Sequence, residues 1–99
     1  MSFRVIISDE LKKTLVFLKR KDTVMFHTVE KKILQIASLD GLSIQHFKNL
    51  RSPLNDYKRV HLGSHVLLFR VQADKIIFEA FEHHDQIYRK KTVNRIILR

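Results

Sequence analysis

The chain contains no cysteine. That excludes disulfide frameworks, thiolate nucleophiles and thiolate-held zinc together, and it fits a reducing, cytoplasmic setting. No apolar run approaches the roughly 20 residues a membrane-spanning helix needs, and the opening MSFRVIISDEL lacks the basic-then-apolar order of a secretory leader. No helical stretch joins a basic face to an aromatic apolar one, so membrane-surface binding is not expected either. Acidic residues are scarce: 10 Asp and Glu stand against 19 Lys and Arg, a net charge of +9. On a chain of 99 residues, that surplus draws polyanions, which makes RNA, DNA or an acidic protein partner the leading candidates. The plain alternative is a basic surface that serves solubility alone. The length suits one domain over residues 1–99 with a single core, residues 92–99 forming a possible tail.

Local patterning gives an order of elements. FRVIIS (3–8) is a β-branched run ending at Ser8 and Asp9, which supply helix-start chemistry. Leu11, Leu15 and Leu18 then recur at helical spacing, and Lys19, Arg20 and Lys21 suit the negative end of the helix dipole. A second helix is predicted from near Asp22, with a stripe of Phe26, Val29, Ile33 and Ile36 and with Gly41 just past its end. Residues 40–57 read as a partly docked connection anchored by Leu42, Ile44, Phe47 and Leu50. From Arg59 the period becomes two: RVHL, VLLFRV and IIFEAFE, separated by GSH and QADK, predict a three-stranded antiparallel meander. The tail RKKTVNRIILR is compatible with a strand, a docked helix or a segment awaiting a partner.

The stretch FEHHDQIYRK (81–90) concentrates chemistry at the end of the last predicted strand. Neighbouring side chains of an extended segment face opposite ways, so at most one of His83 and His84 shares a surface with a given residue. His83 reads as a surface or hinge residue. A metal site at His83, His84 and Asp85 is disfavoured because adjacent ligands on a strand splay apart and no third spaced ligand is evident. No metal and no cofactor are therefore expected. Arg59 and His61 lie two apart, sharing a face, while Val60 and Leu62 face a core. On the next strand Leu67, Phe69 and Val71 join that core and leave Val66, Leu68 and Arg70 beside Arg59 and His61. Cutting RNA without a metal requires a base for the 2′-OH proton, a cation on the phosphorane and an acid for the departing 5′-oxygen. Histidine suits the proton roles near neutral pH and arginine the charge role. Arg89, Lys90 and Lys91 next to Tyr88 have the basic-plus-aromatic composition that single-stranded RNA favours. Each feature also has a plain reading: His61 as a solvated strand residue, Tyr88 as an edge aromatic, the basic runs as solvated element ends.

The β-α-α-β-β-β order, with LRSPLNDYKRVHLGSHVLLFRV, the short turn into KIIFEAF, and the ending EHHDQIY, resembles the RelE/ParE superfamily of toxins from type II toxin–antitoxin pairs, over roughly residues 3–90. The resemblance implies an α+β fold: an N-terminal strand, a helical hairpin, then an antiparallel meander forming one curved sheet, with the helices on one face and the other left for ligand. In the RelE branch that face binds messenger RNA in the ribosomal A site and cuts it; the ParE branch instead poisons DNA gyrase. Many members are silenced by an antitoxin with an acidic tail, forming a toxin–antitoxin hetero-oligomer. Carried over by position, Arg59 and His61 match two basic positions of RelE-type nucleases, His84 the Arg or His of the C-terminal motif, and Tyr88 its closing aromatic. His61 and His84 would divide acid and base work, Arg59 would hold the phosphate, and Tyr88 would stack on or orient a base. Val66 departs from the pattern, because the family's nucleases often carry an arginine there. Arg70 and His65 are the nearby substitutes. The resemblance thus implies an mRNA-cleaving toxin, with a gyrase poison or an inactive RNA- or ribosome-binding module as the alternative.

Overall fold

The computed structural model describes residues 3–98. It contains β1 (Arg4–Ile7), α1 (Asp9–Lys21), α2 (Thr23–Ala37), α3 (Gly41–Ile44), β2 (Lys58–Leu62), β3 (His65–Gln72), β4 (Lys75–His83), a 3-10 turn (His84–Gln86) and α4 (Lys90–Ile97). None of these helices is long and apolar enough to cross a membrane.

Ser8 converts the first strand into the first helix. Its Oγ accepts the Leu11 N–H at 3.1 Å and donates to the Glu79 carbonyl at 2.5 Å, so a single hydroxyl caps α1 and ties it to β4. Asp22 closes the hairpin in the same economical way: its N–H bonds the Leu18 carbonyl at 2.7 Å while its carboxylate accepts the Met25 N–H at 3.1 Å. The second helix stops at Ala37, short of Gly41, which instead opens α3 behind an Asp40 cap. The expected Gly41 terminus is corrected accordingly: Asp40 offers the stronger local signal, a carboxylate that starts a new helix.

The four strands form one sheet in the order β1-β4-β3-β2. Strands β2, β3 and β4 make the antiparallel meander, and β1 adds in parallel to β4, with Val5 opposite Ile76 and Ile7 opposite Phe78. Both meander turns are two residues long, and the first places Gly63 at φ +66°, a conformation glycine adopts without steric cost. A register shift between Leu68 and Phe69 lets both Phe78 and Phe81 face the helical hairpin. That face holds the main core, including Leu11, Val29, Ile33, Ile36, Leu67, Phe69 and Phe78.

The opposite face departs from expectation. Val66 and Leu68 are not on an open surface: they are buried with Leu50, Leu54, Ala80, Ile87 and Ile96 in a second core. The 49–57 loop and α4 fold over the sheet because an apolar patch of this size is costly to leave in water. The C-terminal tail is thus a docked helix, with Thr92 and Ile96 inward and Arg95 paired to Glu10 at 2.6 Å and also to Glu82. Lys58, 7% exposed, secures the loop: its ammonium donates to the Phe47 carbonyl at 3.2 Å and to Asn49 Oδ1 at 2.9 Å.

Candidate functional site: a cationic cleft at the sheet edge

What the second core leaves uncovered is a cleft of about 720 Å³ lined by Asn49, Leu50, Arg51, Arg59, His61, His84 and Tyr88. Three parts of the chain build it. Strand β2 is an edge strand, and its alternation turns Val60 and Leu62 to the main core and Arg59 and His61 to the cleft. Beside them, the 49–57 loop supplies Arg51, held between the buried anchors Leu50 and Leu54. The segment after β4 supplies His84 and Tyr88 on either side of Ile87, whose burial in the second core fixes both.

The paired histidines do not sit as an extended strand would place them. Strand β4 ends at His83 and the chain turns into a 3-10 helix, so the rings of His83 and His84 stack with centroids 4.5 Å apart. His84 is anchored by its N–H to the Ser64 carbonyl at 3.0 Å. Its Nδ1 lies 3.0 Å from Asp85 Oδ1, a contact in which the carboxylate favours a proton on Nδ1 and so a lone pair on Nε2. His83 caps the same turn, its Nδ1 accepting the Asp85 N–H at 3.1 Å.

Tyr88 is engaged within the protein. Its hydroxyl accepts the Arg51 N–H at 2.8 Å, and the Arg51 guanidinium lies over its ring, 4.4 Å from the centroid. The ring therefore supports a cation at the cleft wall. Sequence reasoning had missed Arg51. Its signal was the pair of apolar anchors around it, but its direction depends on Tyr88, 37 residues away.

The remaining expected site residues fall outside this lining. Arg70 faces a separate depression with Lys12, Lys13 and Glu79, and its Nε lies 3.5 Å from Glu79 Oε1. The bulge that reorients β4 places this pair together, so Arg70 does not stand in for an arginine at Val66. His65 packs on Phe81 at 4.9 Å and meets His83 edge-on at 5.4 Å. Burial, and then the neighbouring His83 and His84, hold its pKa below the ordinary histidine value. Arg89 is the N-cap residue of α4, with Lys90 and Lys91 exposed in the first turn. Positive charge there opposes the helix dipole, an arrangement that a phosphate would relieve.

This geometry belongs to a recognisable class: a curved sheet with a helical hairpin on one face and a basic cleft at its edge. No protein-family model matches the chain. It is 40% identical over 92 residues to a curated protein of Methanocaldococcus jannaschii named for the RelE toxins, RelE4, covering 90% of this chain and 94% of that one. Among solved structures, the toxin–antitoxin complex RelBE2 of Mycobacterium tuberculosis is similar with a TM-score of 0.68 at 15% identity, over 85% of this chain and all of that chain. YafQ of Escherichia coli is similar with a TM-score of 0.65 at 15% identity, over 88% of this chain and 99% of that one. The chain belongs to the RelE/ParE superfamily of toxins.

Proposed function

We propose that this protein is the toxin of a toxin–antitoxin pair and that it cuts messenger RNA, on the ribosome, by metal-independent transesterification. The observation that carries this reading is the convergence of Arg59, His61, His84 and Tyr88 on one cleft from segments far apart in sequence. His84 is the base: with Nδ1–H given to Asp85, Nε2 takes the 2′-OH proton as the oxygen attacks the adjacent phosphorus. Arg59 and Arg51 balance the charge that grows on the phosphorane oxygens. His61 is the acid, protonating the 5′-oxygen as the P–O bond breaks and leaving a 2′,3′-cyclic phosphate. Arg89, Lys90 and Lys91 hold the RNA backbone beside the cleft. The buried Val66 explains how the cleft does without the family's arginine at that position: its site is occupied by the second core, and Arg51 brings a cation in from the loop.

An antitoxin fits the same surface chemistry. A body of net charge +9 attracts an acidic segment, and Val16, Phe17, Val24 and Leu34 on the helical hairpin expose apolar area for contact.

Controlled expression of the wild type beside His84→Ala and Arg59→Ala tests the reading, with growth and mRNA integrity followed together. Growth arrest with fresh mRNA ends, lost in both variants, supports it. Arrest with intact mRNA sinks it and favours a gyrase poison, the second reading, which rests on the apolar residue at Val66. An RNA whose scissile 5′-oxygen is replaced by sulfur separates the two histidines: the better leaving group rescues His61→Ala and leaves His84→Ala inactive.

A further inference from the structure

The turn that brings His84 into the cleft also brings two imidazoles and a carboxylate together. We infer that His83, His84 and Asp85 form a binding site for a divalent transition-metal cation of the zinc class, and that its occupancy switches off the base in the cleft. The second half of this inference rests on the function proposed above; the first half stands without it.

Strand geometry would have sent the two histidines to opposite faces, but β4 ends between them and their rings lie 28° from parallel. One donor atom from each of the three residues falls within 4.8 Å of the others. Asp85 Oδ1 lies 3.0 Å from His84 Nδ1, and Asp85 Oδ2 lies 3.6 Å from His83 Nδ1. Two donors that each bond one cation at about 2.0–2.2 Å stand roughly 3.0–3.5 Å apart, so small side-chain rotations suffice. Two imidazoles with one carboxylate are a donor set for Zn²⁺, Ni²⁺ or Cu²⁺, whereas Mg²⁺ prefers an all-oxygen shell. The site is half-exposed, which gives the ion an entry path, and the fourth position is left to water or to a phosphate oxygen in the cleft.

Binding exchanges the proton between His84 Nδ1 and Asp85 for the metal, and it displaces the Asp85 N–H from His83 Nδ1. A histidine metallated at Nδ1 carries its remaining proton on Nε2. Nε2 is then a donor and no longer accepts the 2′-OH proton.

Calorimetric titration of the intact protein with Zn²⁺, followed by Co²⁺ absorption as a report of the ligand set, tests the site without RNA. One Zn²⁺ per chain is expected, at least tenfold weaker in His83→Asn and in Asp85→Asn, with no heat from Mg²⁺. His83→Asn keeps a side-chain oxygen to cap the turn, and unchanged circular dichroism checks its fold. The site is overturned if the wild type binds no Zn²⁺ stoichiometrically or if His83→Asn binds it as tightly. In the cleavage assay, Zn²⁺ should inhibit the wild type in step with occupancy, EDTA should reverse this, and His83→Asn should cleave normally while resisting the ion. Binding without inhibition would overturn the switch and leave the site standing. An inactive protein that still binds Zn²⁺ would overturn the nuclease reading alone.

Discussion

The Tyr88 hydroxyl accepts the backbone N–H of Arg51 while the Tyr88 ring lies under the Arg51 guanidinium, so one side chain holds both the loop and the charge that the loop presents. Two variants separate these jobs. Tyr88→Phe keeps the ring and loses one hydrogen bond, which should cost about 1 kcal/mol in urea denaturation and reduce cleavage only slightly. Tyr88→Ala removes both supports and should lower cleavage as much as Arg51→Ala, with the double variant no worse than either single one. Additive losses in that cycle would mean that the two residues act separately.

Asp85→Asn preserves shape but offers an amide where a carboxylate lay 3.0 Å from His84 Nδ1. Single-turnover cleavage should fall by about 10- to 100-fold, the scale expected when an orienting partner is lost. The loss should lie in the chemical step, with RNA affinity unchanged. An equal fall in affinity would show that Asp85 acts on binding.

Ile96 is 2% exposed and docks α4 on the second core. Ile96→Ala should destabilise the fold by roughly 2–4 kcal/mol. Leu54, fully buried beneath the loop, should cost a similar amount as Leu54→Ala, and it should also depress cleavage in the folded fraction because Arg51 loses its base. Urea midpoints and activity measured on the same samples distinguish the two effects.

The Asp40 carboxylate, which caps α3 by accepting the Ser43 N–H at 2.7 Å, is held below its ordinary pKa of 3.8 by that backbone bond first and by the Ser43 side chain second. A lowered folded-state value means that the unfolded chain binds the proton more readily. The stabilisation is therefore complete above the ordinary value and is lost as pH falls through the lowered one. Asp40→Asn retains a capping oxygen but loses the charge, so it should be less stable than the wild type at neutral pH and should flatten that part of the acid limb. A carboxyl resonance titrating at or above 3.8 would contradict the assignment.

Much of the fold was legible in the sequence because its signals are local. The leucine spacing of α1, the Ser8 and Asp22 caps and the period-two runs of the meander each report which side of an element is apolar, and that is enough to order the elements and to pair Arg59 with His61. The tail was not legible. Val93 and Ile96 mark an apolar stripe, but what the stripe covers depends on Val66 and Leu68, some thirty residues earlier in the chain.

By itself, then, the sequence determined the charge, the β-α-α-β-β-β order of the main elements, and the residues that β2 and β3 turn away from the main core, because charge and amphipathic period are properties of short segments. Only the tertiary structure decided that the second face is mostly closed, that Arg51 stands on Tyr88, that Arg70 turns to Glu79, and that His83 and His84 stack. Each of these depends on where a chain reversal falls and on which distant apolar side chains it must bury, and neither is set by the residues on either side.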